Sequence, residues 1–392
     1  MEIYSMKKSL LALAALGVFA GAAHAQSSVT LYGIIDAGFL YSNNSAGQKQ
    51  YALNSGNVQG SRWGLRGTED LGGGLKALFV LENGFNVFNG RLGQGGAEFG
   101  RQAYVGLSTA QFGTVTLGRQ YDSVVDFTGA FEVGSQWATY FGAHPGDLDN
   151  MNNSNRVNNA IKFTSANYAG FTFGGLYSLG GVAGQFNRNQ IWSVGLGYSR
   201  GPLQLGAGYL NVKDPNFSFF GNTPASSTTG SNMAGSRVYS GFASAHTQQV
   251  ISAGGAYTFG AATVGATYSN TQFKDVGTEP GTGLNQFGYT GGSGKFHNAE
   301  INFKYQLTPA LLVGAAYDYT KGYGLANAKY HQGMLGADYF LSKRTDVYID
   351  GIYQHASGTD STRTAAVANI NGLSPSSTSN QVAALVGIRH KF

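Results

Sequence analysis

The chain has no cysteine in its 392 residues, 7 prolines, and only 11% charged residues. Without cysteine no disulfide can staple the fold, so the hydrogen-bond ladder must hold it. A soluble domain ordinarily carries about 25% charge, so a water-covered globular surface is a poor fit. Beyond the first 25 residues no stretch approaches the ~18 uninterrupted apolar residues of a membrane-spanning helix. A disordered chain is excluded by aromatics: 25 Phe and 23 Tyr stand beside 60 Gly. The net charge of +5 is modest, and no compact basic stretch points to nucleic acid.

The N-terminus carries Lys7 and Lys8, an apolar stretch over 10–22, and Ala23-His24-Ala25 before Gln26. This reads as a secretory signal peptide over 1–25, with Met6 as an alternative start. The apolar run is shorter than the ~20 residues of a transmembrane anchor. Removing the leader takes away Glu2, Lys7 and Lys8, lowers the net charge to +4 and leaves 26–392 as one domain.

Nearly everywhere after that the apolar period is two. Val29, Leu31, Ile35, Ala37 and Phe39 alternate with Thr30, Tyr32, Ile34, Asp36 and Gly38, and Ile301, Phe303 and Tyr305 with Asn302, Lys304 and Gln306. The last residues behave alike: Val382, Ala384, Val386, Ile388 and His390 share one face, and the strand ends on Phe392. Sixteen strands are expected, near 28–41, 59–69, 74–83, 101–109, 113–120, 158–165, 170–179, 190–199, 202–212, 248–259, 262–273, 296–306, 310–320, 330–340, 345–357 and 380–392. Most have about ten residues, enough to cross a bilayer when tilted. The connections alternate short and long, the long ones being 42–58, 84–100, 121–157, 180–189, 213–247, 274–295, 321–329 and 358–379. An even strand count with short turns at one end and long loops at the other is the pattern of a transmembrane β-barrel. A soluble sandwich also alternates, but has no reason to sort its connections. The expected fold is all-β: a 16-stranded antiparallel transmembrane β-barrel, apolar outside, with a hydrated lumen. Tyr209, Tyr268, Tyr305, Tyr317 and Tyr353 would supply interfacial girdles.

Several segments carry a resemblance: SSVTLYGIIDAG, GSRWGLRGTEDLGGGLKALFVLENGF, RQAYVGLSTAQFGTVTLGRQYD, RVNNAIKFTS, GADYFLSKRTDVYIDGIYQ and the terminal VGIRHKF. The chain resembles the general porins of Gram-negative bacteria, the betaproteobacterial and neisserial-type group in particular. The resemblance implies a homotrimer of barrels in the outer membrane. It also implies an inward-folded third long loop that narrows each pore, and Phe392 as a C-terminal assembly signal.

The segment 121–157 fits that loop, since long irregular connections are usually functional or disordered. It carries Asp122, Asp126, Glu132, Asp147 and Asp149 against a single Arg156. Arg62, Arg66, Lys76 and Lys162 occupy polar-face positions on the expected strands. Carboxylates facing such cations across a narrow aqueous gap would create a transverse field. Arg101 and Arg119 match the family's lumen arginines by motif. Strict alternation instead puts them in register with lipid-facing residues, but both lie at the loop end of their strands, where a bulge or the rim could turn them inward. Asp36, Asp318, Asp338, Asp346 and Asp350 also face the lumen by parity.

A barrel-embedded hydrolase is the reading from another class. Six histidines follow the leader, but no GxSxG marks a nucleophile and no HExxH marks a metal site. Gly-rich GLGYSRG precedes a strand rather than a helix, which removes the phosphate-cradle context. A substrate-specific channel would need an aromatic track or a dedicated cluster in the pore. The expected function is passive diffusion of ions and small hydrophilic solutes, with no cofactor and a weak preference for anions.

Overall fold

The computed structural model describes residues 28–281 and 283–392; the expected leader lies outside them. Seventeen strands occur among the described residues: β1 Ser28–Ser45, β2 Gln48–Ser55, β3 Arg62–Gly72, β4 Leu75–Gly84, β5 Gln102–Thr109, β6 Gly113–Gln120, β7 Val157–Ser165, β8 Phe171–Ser178, β9 Ile191–Arg200, β10 Leu203–Lys213, β11 Thr247–Phe259, β12 Ala262–Lys274, β13 Gly294–Thr308, β14 Leu311–Gly324, β15 Lys329–Phe340, β16 Thr345–Ser357 and β17 Asn380–Lys391. Each pairs antiparallel with its neighbours, and β17 returns to β1 in unbroken register from Ile34↔Lys391 to Ser42↔Ala383. Beyond the last ladder residue Phe392 exchanges two further backbone hydrogen bonds with Gly33, both 3.0 Å. The Phe392 ring covers Gly33, where any Cβ would collide with it.

Seventeen strands make sixteen wall positions because β2 and β3 share one. Ala37–Ser45 of β1 pairs with β2, and Ser28–Ile34 of the same strand pairs with β3. The extra chain between them, 56–61, is held by Asp36. Its carboxylate accepts from Val58 N and Gln59 N (2.8 Å each) and from the Tyr348 hydroxyl (2.7 Å), and its backbone N donates to Ser61 Oγ.

Two expected loops are corrected. Most of 42–58 is ladder, turning at Ala46 (φ 52°) and Gly47 (φ 94°). Two successive left-handed residues make the tight turn that matches strand twist, and Ala at the first position hides it in the sequence. The connection expected over 321–329 shrinks to 325–328, because β14 runs on to Gly324.

The faces decide which solvent surrounds the cylinder. Along β13, Asn298, Glu300 and Asn302 are buried while Ile301 and Phe303 are exposed. Val29, Leu335 and Ile349 are 64%, 67% and 59% exposed. A continuous apolar exterior over buried polar groups inverts the soluble pattern and suits hydrocarbon. Leu335→Arg should therefore cost about 2–4 kcal/mol in a vesicle folding equilibrium if Leu335 sits near mid-bilayer. Gln332→Ala, on the opposite face, should not show this lipid penalty; equal depth-dependent losses would contradict the assigned faces.

Candidate functional site

The longest connection, 121–156 between β6 and β7, is mostly buried, with Asp126, Ala130 and Ser154 exposed. It opens with a short helix, Ser123–Phe127, whose N-cap Asp122 accepts from Val124 N and Val125 N. It packs on the wall face turned away from the exposed Val194 and Leu196. There the wall is shaped by missing side chains: a Cβ on Gly195 would collide with the Phe127 ring, and one on Gly314 with Trp137. Polar ties run to distant strands. Ser123 N donates to Ser193 Oγ on β9 (2.9 Å), Val133 N to Glu300 on β13 (2.9 Å), and Gln332 on β15 to the carbonyls of Gly142 and Ala143.

The five acids of this segment mostly serve its own shape. Asp122 caps the helix and accepts from Asn150 Nδ2 (2.7 Å). Asp147 accepts from Asn152 N and Ser154 N (2.9 Å each). Glu132 accepts from His144 N, and Asp149 from Ser269 Oγ on β12 and from the His144 ring, 2.7 Å from Nδ1. Only Asp126 meets a wall cation, in an ion pair with Lys162. Burial pushes Asp122 up to about 6 and Asp147 up to about 7, the latter aided by the charge of Asp149. Burial opposes the His144 imidazolium, but Asp149 and Glu132 outweigh it and hold His144 well above its usual range.

The arginines gather elsewhere. Arg62, Arg101 and Arg156 converge with Tyr121 on a cavity of about 420 Å³, walled also by Gln59, Tyr140 and Asn153. Arg101 pairs with Glu82 (2.8 Å) and donates to the Tyr121 hydroxyl (3.1 Å). Arg62 donates to Gly60 O, and Arg156 to Ser154 O and Asn153 Oδ1, with its guanidinium 5.3 Å from the Tyr121 ring centre. Arg119 donates to Gly100 O and Asn222 O, and to the Asn158 side chain. Among the described residues neither Arg62, Arg119 nor Arg156 meets a carboxylate. Arg119 leaves the row of Val115 and Leu117 because the β6–β7 register shifts between Gly118 and Gln120, where Gly118 takes φ 141°. Arg101 precedes the first residue of β5 and is free of its alternation.

Of the six expected wall residues only Arg62 and Arg101 line this cavity; Arg119 and Lys162 stand outside it, Lys162 donating to the Tyr121 carbonyl (3.0 Å), and Arg66 and Lys76 lie outside it as well. Arg66 is exposed, 5.2 Å from the Tyr32 ring centre. Lys76 lies in register with Asp70 beside the short β3–β4 turn, eight residues along β4 from the Arg62 partner Gly84, a rise of roughly 26 Å. Tyr121, Glu82 and Lys304 are not among the expected site residues; Lys304 Nζ donates to Gln136 Oε1 (3.0 Å). Parity already puts Lys304 on the polar face, but face alone does not single it out among the other polar-face residues.

Metal chemistry has one geometric candidate among the described residues, Asp214, His246 and Glu279, with ligand atoms within 4.8 Å of one another. His246 Nδ1 is hydrogen-bonded to Glu279 (2.9 Å) and lies 3.0 Å from Asp214, and Arg188 lies beside Glu279.

A sealed cylinder with an apolar exterior and an arginine-lined interior cavity matches a known family. The sequence model of the Gram-negative porins covers residues 12–360. The chain belongs to the Gram-negative porins. This porin is 32% identical over 388 residues to an outer membrane porin protein of Bordetella pertussis, covering 89% of this chain and 94% of the relative. It is 33% identical over 364 residues to outer membrane porin protein 32 of Delftia acidovorans, covering 88% of each chain. Among solved structures it is similar to an anion-selective porin from Comamonas acidovorans, with TM-score 0.72, 26% identity, and coverage of 94% of this chain and all of that one. OmpT of Vibrio cholerae, at 17% identity and TM-score 0.63, shares the fold. The porin therefore resides in the outer membrane and passes small solutes by passive diffusion rather than by catalysis.

The raised acids give the 121–156 segment a pH signature. The stability that Asp122 and Asp147 contribute is complete below about pH 4 and is lost as pH rises through about 6 and 7. Hydrogen-exchange protection of amides 123–128 and 148–155, corrected for intrinsic rates, should fall between about pH 4 and about pH 7. Asp147→Asn should flatten the upper part of that fall; protection that rises with pH would contradict the assignment.

Proposed function

We propose that segment 121–156 is the inward-folded third long loop, and that it narrows the channel to a gap favouring anions. The carrying observation is the cavity where Arg62, Arg101 and Arg156 meet against one carboxylate, Glu82. Arg119 and Lys162 extend the positive wall, and Lys162 is partly neutralised by Asp126. The five loop acids act chiefly as anchors that hold the segment in shape, and Arg66 and Lys76 tune the field nearer the short-turn end. In a water gap between low-dielectric walls the unpaired guanidiniums raise the local anion concentration. The similarity to a porin described as anion-selective supports the same sign here. We also infer that residues 1–25 form a leader, that Phe392 serves as an assembly signal at the β1–β17 seam, and that the porin assembles as a homotrimer, each barrel with its own pore.

A guanidinium ~5 Å from a passing anion in water contributes about 0.8 kcal/mol, a factor of about 4 in partition. Planar-bilayer reversal potentials under a salt gradient should therefore show Arg62→Ala and Arg156→Ala each reducing anion preference severalfold. Glu82→Gln should increase it, and Lys76→Ala should change it least. An unchanged reversal potential in both arginine variants would remove the constriction from this cavity.

A further inference from the structure

The Asp214, His246 and Glu279 cluster lies at the long-loop end, apart from the arginine cavity, and the channel function does not use it. Asp214 directly follows β10, His246 directly precedes β11, and Glu279 lies on the connection between β12 and β13. Backbone bonds bring the three together. Asp214 N donates to His246 O (2.8 Å), His246 N to Lys274 O at the end of β12 (3.1 Å), and Glu279 N to Ser244 O (3.2 Å). Gly277, left-handed at φ 96°, donates to Ser244 Oγ as well (2.9 Å). The chain around the cluster therefore sets its geometry, and the two carboxylates and the imidazole are not needed to close the loops.

The three side chains are short of a proton. Asp214 Oδ1 and Glu279 Oε1 lie 3.0 and 2.9 Å from one nitrogen, His246 Nδ1. That nitrogen carries at most one hydrogen, and its bond goes to Glu279. Asp214 Oδ1 is left with no hydrogen-bond partner among the described residues, on a side chain only 1% exposed. A buried acceptor without a donor is costly and needs a reason. The far oxygens are already held: Asp214 Oδ2 accepts from Asn189 N (2.9 Å), and Glu279 Oε2 faces Arg188 (3.5 Å). Such outer bonds orient the carboxylates of metal sites. One imidazole nitrogen and two carboxylate oxygens, all within 4.8 Å of one another, are ligands for zinc and its first-row neighbours. Calcium takes six or more oxygens instead. Ligands ~2.0–2.1 Å from a tetrahedral ion stand about 3.3 Å apart, so the cluster has to open by only about a few tenths of an ångström. The His246 side chain is 43% exposed and, with Lys213 and Asp214, borders a cavity of about 640 Å³ that gives an ion entry and a water room to bind.

We propose that Asp214 Oδ1, His246 Nδ1 and Glu279 Oε1 bind one divalent transition-metal ion of the zinc type, with water as the fourth ligand. The ion takes the place of the single shared proton, which leaves to solvent, and the imidazole keeps its hydrogen on Nε2. Its two positive charges balance the two carboxylates and give the buried Asp214 oxygen its partner. Long loops mark the extracellular end of such barrels, so the ion comes from the external medium. Once bound, it clips both ends of the β10–β11 connection to the β12–β13 connection, in a chain that has no cysteine to do so.

Titration of the full porin in detergent, without a histidine tag, against a chromophoric zinc chelator tests this. One zinc per chain should bind, roughly a hundredfold more tightly than calcium or magnesium. Loss of a group that merely supports a metal ligand costs about 10–100-fold in affinity, so His246→Gln and Glu279→Gln should each weaken zinc by about tenfold or more. His355→Ala, a histidine outside the cluster, should leave it unchanged. Co2+ offered to the parent porin should show the intense visible absorption of a tetrahedral ion, a readout that stands even if a ligand variant folds poorly. Zinc should also slow proteolytic cleavage within 215–245 in the parent porin but not in His246→Gln. Zinc held no more tightly than calcium, a weakly absorbing octahedral cobalt, or equal zinc affinity in the parent and both ligand variants would overturn the proposal. So would zinc binding that is lost with His355→Ala, or that leaves cleavage of 215–245 unslowed.

Discussion

Hydrocarbon offers no hydrogen-bond partner to a peptide group, so a β-sheet can cross it only when its last strand pairs with its first. In this porin the whole demand falls on β1. It pairs with β17 on one side and with the split position of β2 and β3 on the other. Phe392 extends the seam by one more pair of backbone bonds. The buried Asp36 stands where the split occurs, binding the inserted 56–61 chain to Tyr348 on β16, two strands away through β17. Closure then sets both surfaces: apolar side chains must face outward, and polar ones have only the interior.

A long connection can be held against the wall without a second domain. The 121–156 segment has little regular structure, and its positioning depends on complementarity. Glycines at 195 and 314 leave space for Phe127 and Trp137. Buried carboxylates accept hydrogen bonds from the backbone amides that a helix or ladder would otherwise satisfy, which accounts for so many acids in a segment beside an arginine-lined cavity. With most acids turned into the loop, the arginines keep much of their field.

The cylinder was legible because lipid and water impose opposite demands on alternate residues, and the sorting of short and long connections separates a barrel from a sandwich. What failed was local. The Ala46-Gly47 turn lacks the usual Asn-Gly or Asp-Gly chemistry, so composition makes the β1–β2 hairpin look like a loop. Parity misplaced Arg119 because it cannot register the bulge at Gly118, and the start of β5 only after Arg101 is equally invisible to it. The loop acids were legible as a group, but a carboxylate bound to backbone amides looks in sequence like one free to face a pore. Lys76 shares the polar parity of Arg62, yet face says nothing of depth.

The absence of cysteine makes the most direct measurement simple. Ser135 lines the arginine cavity, so Ser135→Cys places the only thiol of the chain there. During single-channel recording, a bulky anionic thiosulfonate added to the bath should react and reduce the conductance of each open pore in a discrete step. A thiol that reacts in the folded porin and leaves conductance unchanged would contradict the placement of 121–156 in the conducting path.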